Sequence, residues 1–119
     1  MSRELGFEKE KEVAAFLKKR GYKILGTNFS TKYGEIDIIA RHKKTIVFIE
    51  VKYRSSLYSG TPQEAVTLSK QKKIIKSAIA YIKQNKIGSD VRFDVAAVDE
   101  NGISVIESAF SAPESLYYF

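Results

Sequence analysis

Apolar residues recur at helical spacing in two stretches of the chain and crowd into short alternating or continuous runs in five others. The first helix is expected from Arg3 to Arg20, with Ser2 as its N-cap and Gly21 placed to end it in a left-handed conformation. A short strand is expected near Tyr22–Asn28. Two strands rich in Ile and Val follow, Gly34–Ala40 and Thr45–Tyr53, joined by Arg41–Lys44; so short a link makes them an antiparallel hairpin. Ser55–Gly60 reads as a polar, mobile loop. In Thr61-Pro62-Gln63-Glu64, a Thr cap, a Pro at the first helical position and a Glu at the third form a capping box that starts a long second helix. Leu68, Ile75, Ala78, Ile79 and Ile82 form its apolar stripe, and Gly88 ends it. Strands Val91–Val98 and Ile103–Ile106, turned at Asn101-Gly102, close the chain. The order is αβββαββ: an α/β domain over 1–119, with a mixed central sheet flanked by helices.

Composition narrows the chemistry. The chain has no cysteine, which excludes disulfides, thiolate metal sites and a cysteine nucleophile and fits a cytoplasmic protein. No secretory signal follows Met1, and no stretch approaches the roughly 20 apolar residues that span a bilayer. Lys and Arg number 20 against 14 Asp and Glu, a net charge of +6. That balance suits a polyanionic partner such as nucleic acid, and equally serves solubility. From Gln63 to Lys86 there are six lysines and one acid, Glu64. Lys72, Lys76 and Lys83 flank the apolar stripe, either as phosphate contacts or as a solvated face.

The candidate site lies on the hairpin. Side chains alternate along a strand, so Glu50 and Lys52 project from one face, about 6.5–7 Å apart, and Val51 from the other. If Lys43-Lys44 form the turn, Asp37 falls opposite Glu50 and Glu35 opposite Lys52, with paired Cβ atoms about 4.5–5.5 Å apart. Two opposed carboxylates repel unless a cation lies between them, and Mg²⁺ prefers one or two carboxylates plus water and phosphate oxygens. A lysine beside such a pair would hold a water or offset phosphate charge. Glu-x-Lys on a strand also serves simply as an exposed ion pair. Glu50, however, interrupts Ile46-Val47-Phe48-Ile49-Glu50-Val51, the most apolar strand, where an unpaired charge is costly. In the first helix, Glu10 projects between Ala14 and Leu17 in the stripe that holds Val13, either toward the site or as a border residue reaching solvent.

At these residues the chain resembles the YraN-like family of bacterial proteins, which look like Holliday-junction resolvases of the restriction-endonuclease-like superfamily. The resemblance rests on Gly34-Glu35-Ile36-Asp37-Ile38-Ile39-Ala40, on Val47-Phe48-Ile49-Glu50-Val51-Lys52-Tyr53-Arg54, and on Gly60-Thr61-Pro62-Gln63-Glu64-Ala65-Val66 with Lys70. Weaker matches are Gly21-Tyr22-Lys23-Ile24-Leu25 with Asn28, and Arg92-Phe93-Asp94-Val95. It implies a restriction-endonuclease-like fold and a Mg²⁺- or Mn²⁺-dependent nuclease acting on DNA as a homodimer. It also implies that Asp37, Glu50, Glu10 and the Val51 carbonyl hold the metal, with Lys52 positioning or activating water. Lys70, Lys72, Lys76, Lys83 and Arg54 are the expected nucleic-acid contacts. Ser30 and Lys9 depart from the family, which has Arg and Gly there. The reading from another class is a binding or interaction module that keeps the fold without turnover.

Two features stand apart. His42, the only histidine, is expected as a surface residue of the hairpin loop. The apolar end Leu116-Tyr117-Tyr118-Phe119 would pack on the domain, on a dimer mate, or serve as a sliding-clamp peptide.

Overall fold

A computed structural model describes residues 3–55, 57 and 60–112. The Ser2 cap and the Leu116–Phe119 end lie outside the described residues. The elements are α1 (Arg3–Lys19), β1 (Lys23–Thr31), β2 (Gly34–His42), β3 (Thr45–Tyr53), a one-turn 3₁₀ segment (Gln63–Ala65), α2 (Leu68–Gln84), β4 (Val91–Asp99) and β5 (Gly102–Phe110). The order αβββαββ is therefore the observed one. Among the described residues, no helix is long and apolar enough to cross a membrane.

The strands form one mixed sheet in the order β1-β2-β3-β4-β5. Neighbours are antiparallel except β3 and β4, which run parallel. Parallel strands need a crossover, and α2 supplies it. Two apolar clusters result, one on each face. On the α2 side, Ile36, Phe48, Ile75, Ala78, Ile79, Phe93 and Val95 pack together. Phe48 is fully buried and stacks on Phe93 at 5.5 Å, with Tyr81 edge-on at 5.9 Å. Such aromatic pairs add about 0.5–1.5 kcal/mol beyond their buried area. On the α1 side, Val13 and Leu17 cover Ile38, Ala40, Val47, Ile49 and Val51.

The strands run longer than their patterns suggest. β1 extends to Thr31 and β5 to Phe110, and in β5 a left-handed Ser108 (φ 51°) marks a bulge against β4. The hairpin turn is Lys43-Lys44, with Lys43 at φ 58° and His42 paired to Thr45. His42 thus ends β2 instead of lying in a loop, and its ring stacks on Tyr22 at 4.1 Å. That contact half-buries a residue expected at the surface.

The second helix starts later than Thr61. The Thr61 hydroxyl does accept from the Glu64 amide (3.3 Å), but it caps only the 3₁₀ turn. The chain then breaks, and Thr67 caps α2 by accepting from the Lys70 amide at 3.2 Å. Leu68 consequently faces solvent, 74% exposed, and is not in the core. Replacing Thr67 with alanine removes an N-cap acceptor and should lower stability by about 1 kcal/mol. Urea unfolding of Thr67→Ala and Thr67→Ser should show a lower midpoint for the first only.

Candidate functional site

The site forms where β2 and β3 part. Their antiparallel ladder runs from His42–Thr45 to Ile38–Ile49 and goes no further. The register is the one expected from a Lys43-Lys44 turn, but the expected Asp37–Glu50 and Glu35–Lys52 backbone pairs do not form. Face alternation breaks at the same place: Ile36 and Ile39 join the α2-side cluster, while Ile38 joins the α1-side one. Across the strand, Asn28 of β1 adopts a left-handed φ of 53°. Pairs Thr27–Ile38 and Phe29–Ile36 flank this kink. On the β3 side, just past the end of the ladder, Asp37 Oδ2 accepts the Val51 amide at 2.8 Å. A side chain thus satisfies a backbone donor that a regular ladder would have paired.

Asp37 is the hub of the cluster. Its carboxylate oxygens lie within 4.8 Å of those of Glu10 and Glu35, and its charge acts on both Glu10 and Glu50. Glu10 arrives from α1, in the orientation its place in the apolar stripe allowed. Glu50 is only 6% exposed and, like Lys52, projects to the face opposite Val51. Glu35, two residues before Asp37, joins the group: carboxylate oxygens of Glu10, Glu35 and Asp37 lie within 4.8 Å of one another. Glu35 was expected only as a partner of Lys52. Its i, i+2 relation to Asp37 on one strand was the available signal.

Burial and mutual repulsion oppose ionisation. Burial first, and then the Asp37 charge, push the Glu50 carboxyl up to about 8. The same causes push Glu10 up to about 7. Burial also raises Asp37, against the Val51 amide and Lys70, which favour its anion. Lys70, in the first turn of α2, brings its Nζ to 4.0 Å from Glu50 Oε1. Lys70 was expected as a nucleic-acid contact, and its role as a partner of Glu50 was not foreseen. It depends on α2 starting at Leu68.

The other expected contacts are dispersed. Arg54, just beyond β3, donates its amide to the Val98 carbonyl (3.0 Å). Lys72 and Lys76 line a hollow beside the β1–β2 turn. Lys83 is in the last turn of α2, about 20 Å along the helix from Lys70.

The donor set suits a hard cation. Among the described residues, three buried acceptors have no hydrogen-bond donor: Glu10 Oε2, Asn28 Oδ1 and Glu50 Oε2. Leaving such an atom unsatisfied costs about 1–3 kcal/mol. All are oxygens around Asp37, the ligand type that Mg²⁺ and Mn²⁺ prefer. Asn28 was not foreseen as a site residue, because its place depends on the kink.

A mixed five-stranded sheet between two helices, in this strand order, is consistent with a restriction-endonuclease-like fold. Residues 9–98 match the uncharacterised protein family UPF0102, and the chain belongs to that YraN-like family. It is 49% identical over 107 residues to a UPF0102 protein of Thermodesulfovibrio yellowstonii, covering 90% of this chain and 96% of that one. It is 45% identical over 103 residues to one from Sulfurihydrogenibium, covering 86% and 90%. It is 41% identical over 109 residues to one from Lachnoclostridium phytofermentans, covering 90% and 92%.

Proposed function

We propose that this chain is a divalent-cation-dependent phosphodiesterase that cuts DNA, branched or flapped DNA included. One observation carries the reading: Glu10 and Glu50, both acted on by Asp37, and Asn28 each keep a buried oxygen with no hydrogen-bond donor, and two lysines act on Glu50. Asp37, Glu50, Glu10 and the Val51 carbonyl would hold Mg²⁺ or Mn²⁺, and Glu35 lies in one carboxylate group with Glu10 and Asp37. A bound cation supplies charge stabilisation at a phosphodiester and makes water more acidic.

The chain's own groups do the rest. Asp37 keeps the strands apart and orients the Val51 peptide. Lys52 shares a face with Glu50, where its ammonium would hold the attacking water and offset charge on the phosphate. Lys70 neutralises part of the Glu50 charge while no phosphate is present. In-line attack of water forms one P–O bond as the bond to the leaving sugar oxygen breaks. The water loses a proton and the leaving oxygen gains one. A homodimer would present two such sites to a branched substrate.

The test is to incubate the protein with single-stranded, duplex, flapped and four-way-junction DNA in Mg²⁺, Mn²⁺ or EDTA. Cleavage that needs the cation and loses activity in Asp37→Ala supports the reading. Binding without cleavage in every condition would favour the module that keeps the fold without turnover, which the lysines of α2 would equally serve.

A further inference from the structure

The turn between β1 and β2 is clamped onto α2 more firmly than a simple hairpin requires. The Thr31 hydroxyl bonds the Ser77 hydroxyl at 2.8 Å, and Ser77 is completely buried. The Tyr33 amide donates to Thr31 Oγ1 at 3.0 Å. Gly34 takes φ 151°, a conformation that L side chains rarely adopt, and a β-carbon there would reach van der Waals contact with the Lys73 Cβ at 3.4 Å. These contacts hold Tyr33 half-buried at the wall of a hollow of about 460 Å³. Ser69, Lys72, Lys73 and Lys76 form the rest of the lining, and no acid is among these residues.

Two ammonium groups stand over the Tyr33 ring: Lys32 Nζ at 5.3 Å and Lys76 Nζ at 5.7 Å from its centroid. An aromatic ring among several lysines is the combination that receives a nucleic-acid strand: the ring stacks a base once the ammonium groups swing from its face onto the phosphates. Bases inside a duplex are stacked on one another and offer no free face; only an unpaired base can use the ring.

Position ties the hollow to the carboxylates. Tyr33 precedes Asp37 by four residues, roughly 13 Å along a strand. That is about four nucleotides at the spacing of a stacked strand. Lys70, which reaches Glu50, lies one helical turn before Lys73.

We infer that Tyr33, with Lys32, Lys72 and Lys76, is a subsite for an unpaired nucleotide about four nucleotides from the phosphate to be cut. The substrate is therefore a single strand or a duplex with a splayed end. This rests on the reading of the chain as a DNA phosphodiesterase, and it deepens that reading.

Binding in EDTA tests the subsite without turnover. Fluorescence anisotropy would compare labelled oligothymidylate, a blunt duplex and the same duplex with a single-stranded flap. Tyr33→Ala should weaken the single strand and the flap about ten- to a hundredfold, as expected for a lost base stack. The duplex should change less than about twofold, and Tyr33→Phe should bind all three like the wild type. Lys72→Ala and Lys76→Ala should each lower the salt slope for the single strand by about 0.7. Melting curves check folding, and Tyr33→Leu, which keeps bulk without a π-face, carries the same expectation as the alanine. Equal weakening for all three DNAs, no weakening, or no binding to any of them would overturn the inference. Tyr33-dependent binding without cleavage in Mg²⁺ or Mn²⁺ would leave the subsite standing and remove the nuclease reading. Cleavage with no Tyr33 dependence would do the reverse.

Discussion

Asp37→Ala is expected to lower cation-dependent cleavage of DNA by about a thousandfold or more, equivalent to at least ~4 kcal/mol of transition-state stabilisation. No other carboxylate touches as much of the site. Asp37 lies beside Glu10 and Glu35, its charge acts on Glu50, and it accepts the Val51 amide where the strands part. Alanine removes the central carboxylate and leaves the Val51 N–H without its acceptor. Asp37→Asn separates chemistry from folding: its amide oxygen can still accept the Val51 amide, but it brings no charge. Asparagine should therefore fold like the wild type and cut as poorly as alanine. Lys52→Ala should lose about a hundred- to ten-thousandfold, the range of a positioned proton-transfer group. Lys70→Ala should lose less, because its ammonium neutralises Glu50 from 4.0 Å instead of facing a phosphate alone. Initial rates on a labelled flapped duplex, with circular dichroism for each variant, measure this. Asp37→Asn cleaving within tenfold of the wild type would remove Asp37 from the chemistry.

Parts of this site were readable in the chain and parts were not, for physical reasons. A glutamate inside Ile46–Val51 declares itself, because a strand buried on both faces tolerates a charge only for cause. Period-two alternation placed Glu50 and Lys52 together, and a two-residue turn at Lys43-Lys44 set the register of the hairpin. Alternation then failed where it mattered most. It assumes that a ladder continues, and here the ladder stops at Ile38 so that a side chain can replace a backbone acceptor. Nothing local in Gly34–Ala40 announces that break. On the other side of β2, Asn28 of β1 takes a left-handed conformation, which its sequence neighbours do not announce either. The long helix shows the complementary difficulty. Thr61 and Thr67 both have the chemistry of a cap, and Thr61 does cap, but a 3₁₀ turn. Thr67 begins α2, and Lys70 in its first turn reaches Glu50; the cap chemistry of the two threonines alone does not tell them apart.

Without a divalent cation, the protein should become less stable as pH rises from about 5 to 8.5. Glu50 and Glu10 have folded-state values of about 8 and about 7, against an ordinary 4.5 in an unfolded chain. Both groups therefore hold protons more tightly when folded. Their contribution is fully present below about pH 4.5 and is lost as pH climbs through 7 and 8, since the native state must then either keep or expel protons that the unfolded chain has already released. A cation reverses the slope: it needs the carboxylates ionised, so its stabilisation grows with pH. At a hundred times its dissociation constant, it would add ~2.7 kcal/mol, or about 10 °C in Tm for a domain of this size. Melting curves in EDTA and in Mg²⁺ or Mn²⁺ at several pH values should cross, with little gain at pH 5 and the full gain near pH 8. Glu50→Gln carries no charge to repel Asp37. In EDTA at pH 8 it should melt several degrees above the wild type, show a flatter pH profile, and lose most of the gain from the cation. A wild-type Tm in EDTA that rises with pH, or a cation gain undiminished in Glu50→Gln, would mean that these carboxylates do not form a cation site. Because melting needs no substrate, the cation site can be tested whether or not the protein cuts DNA.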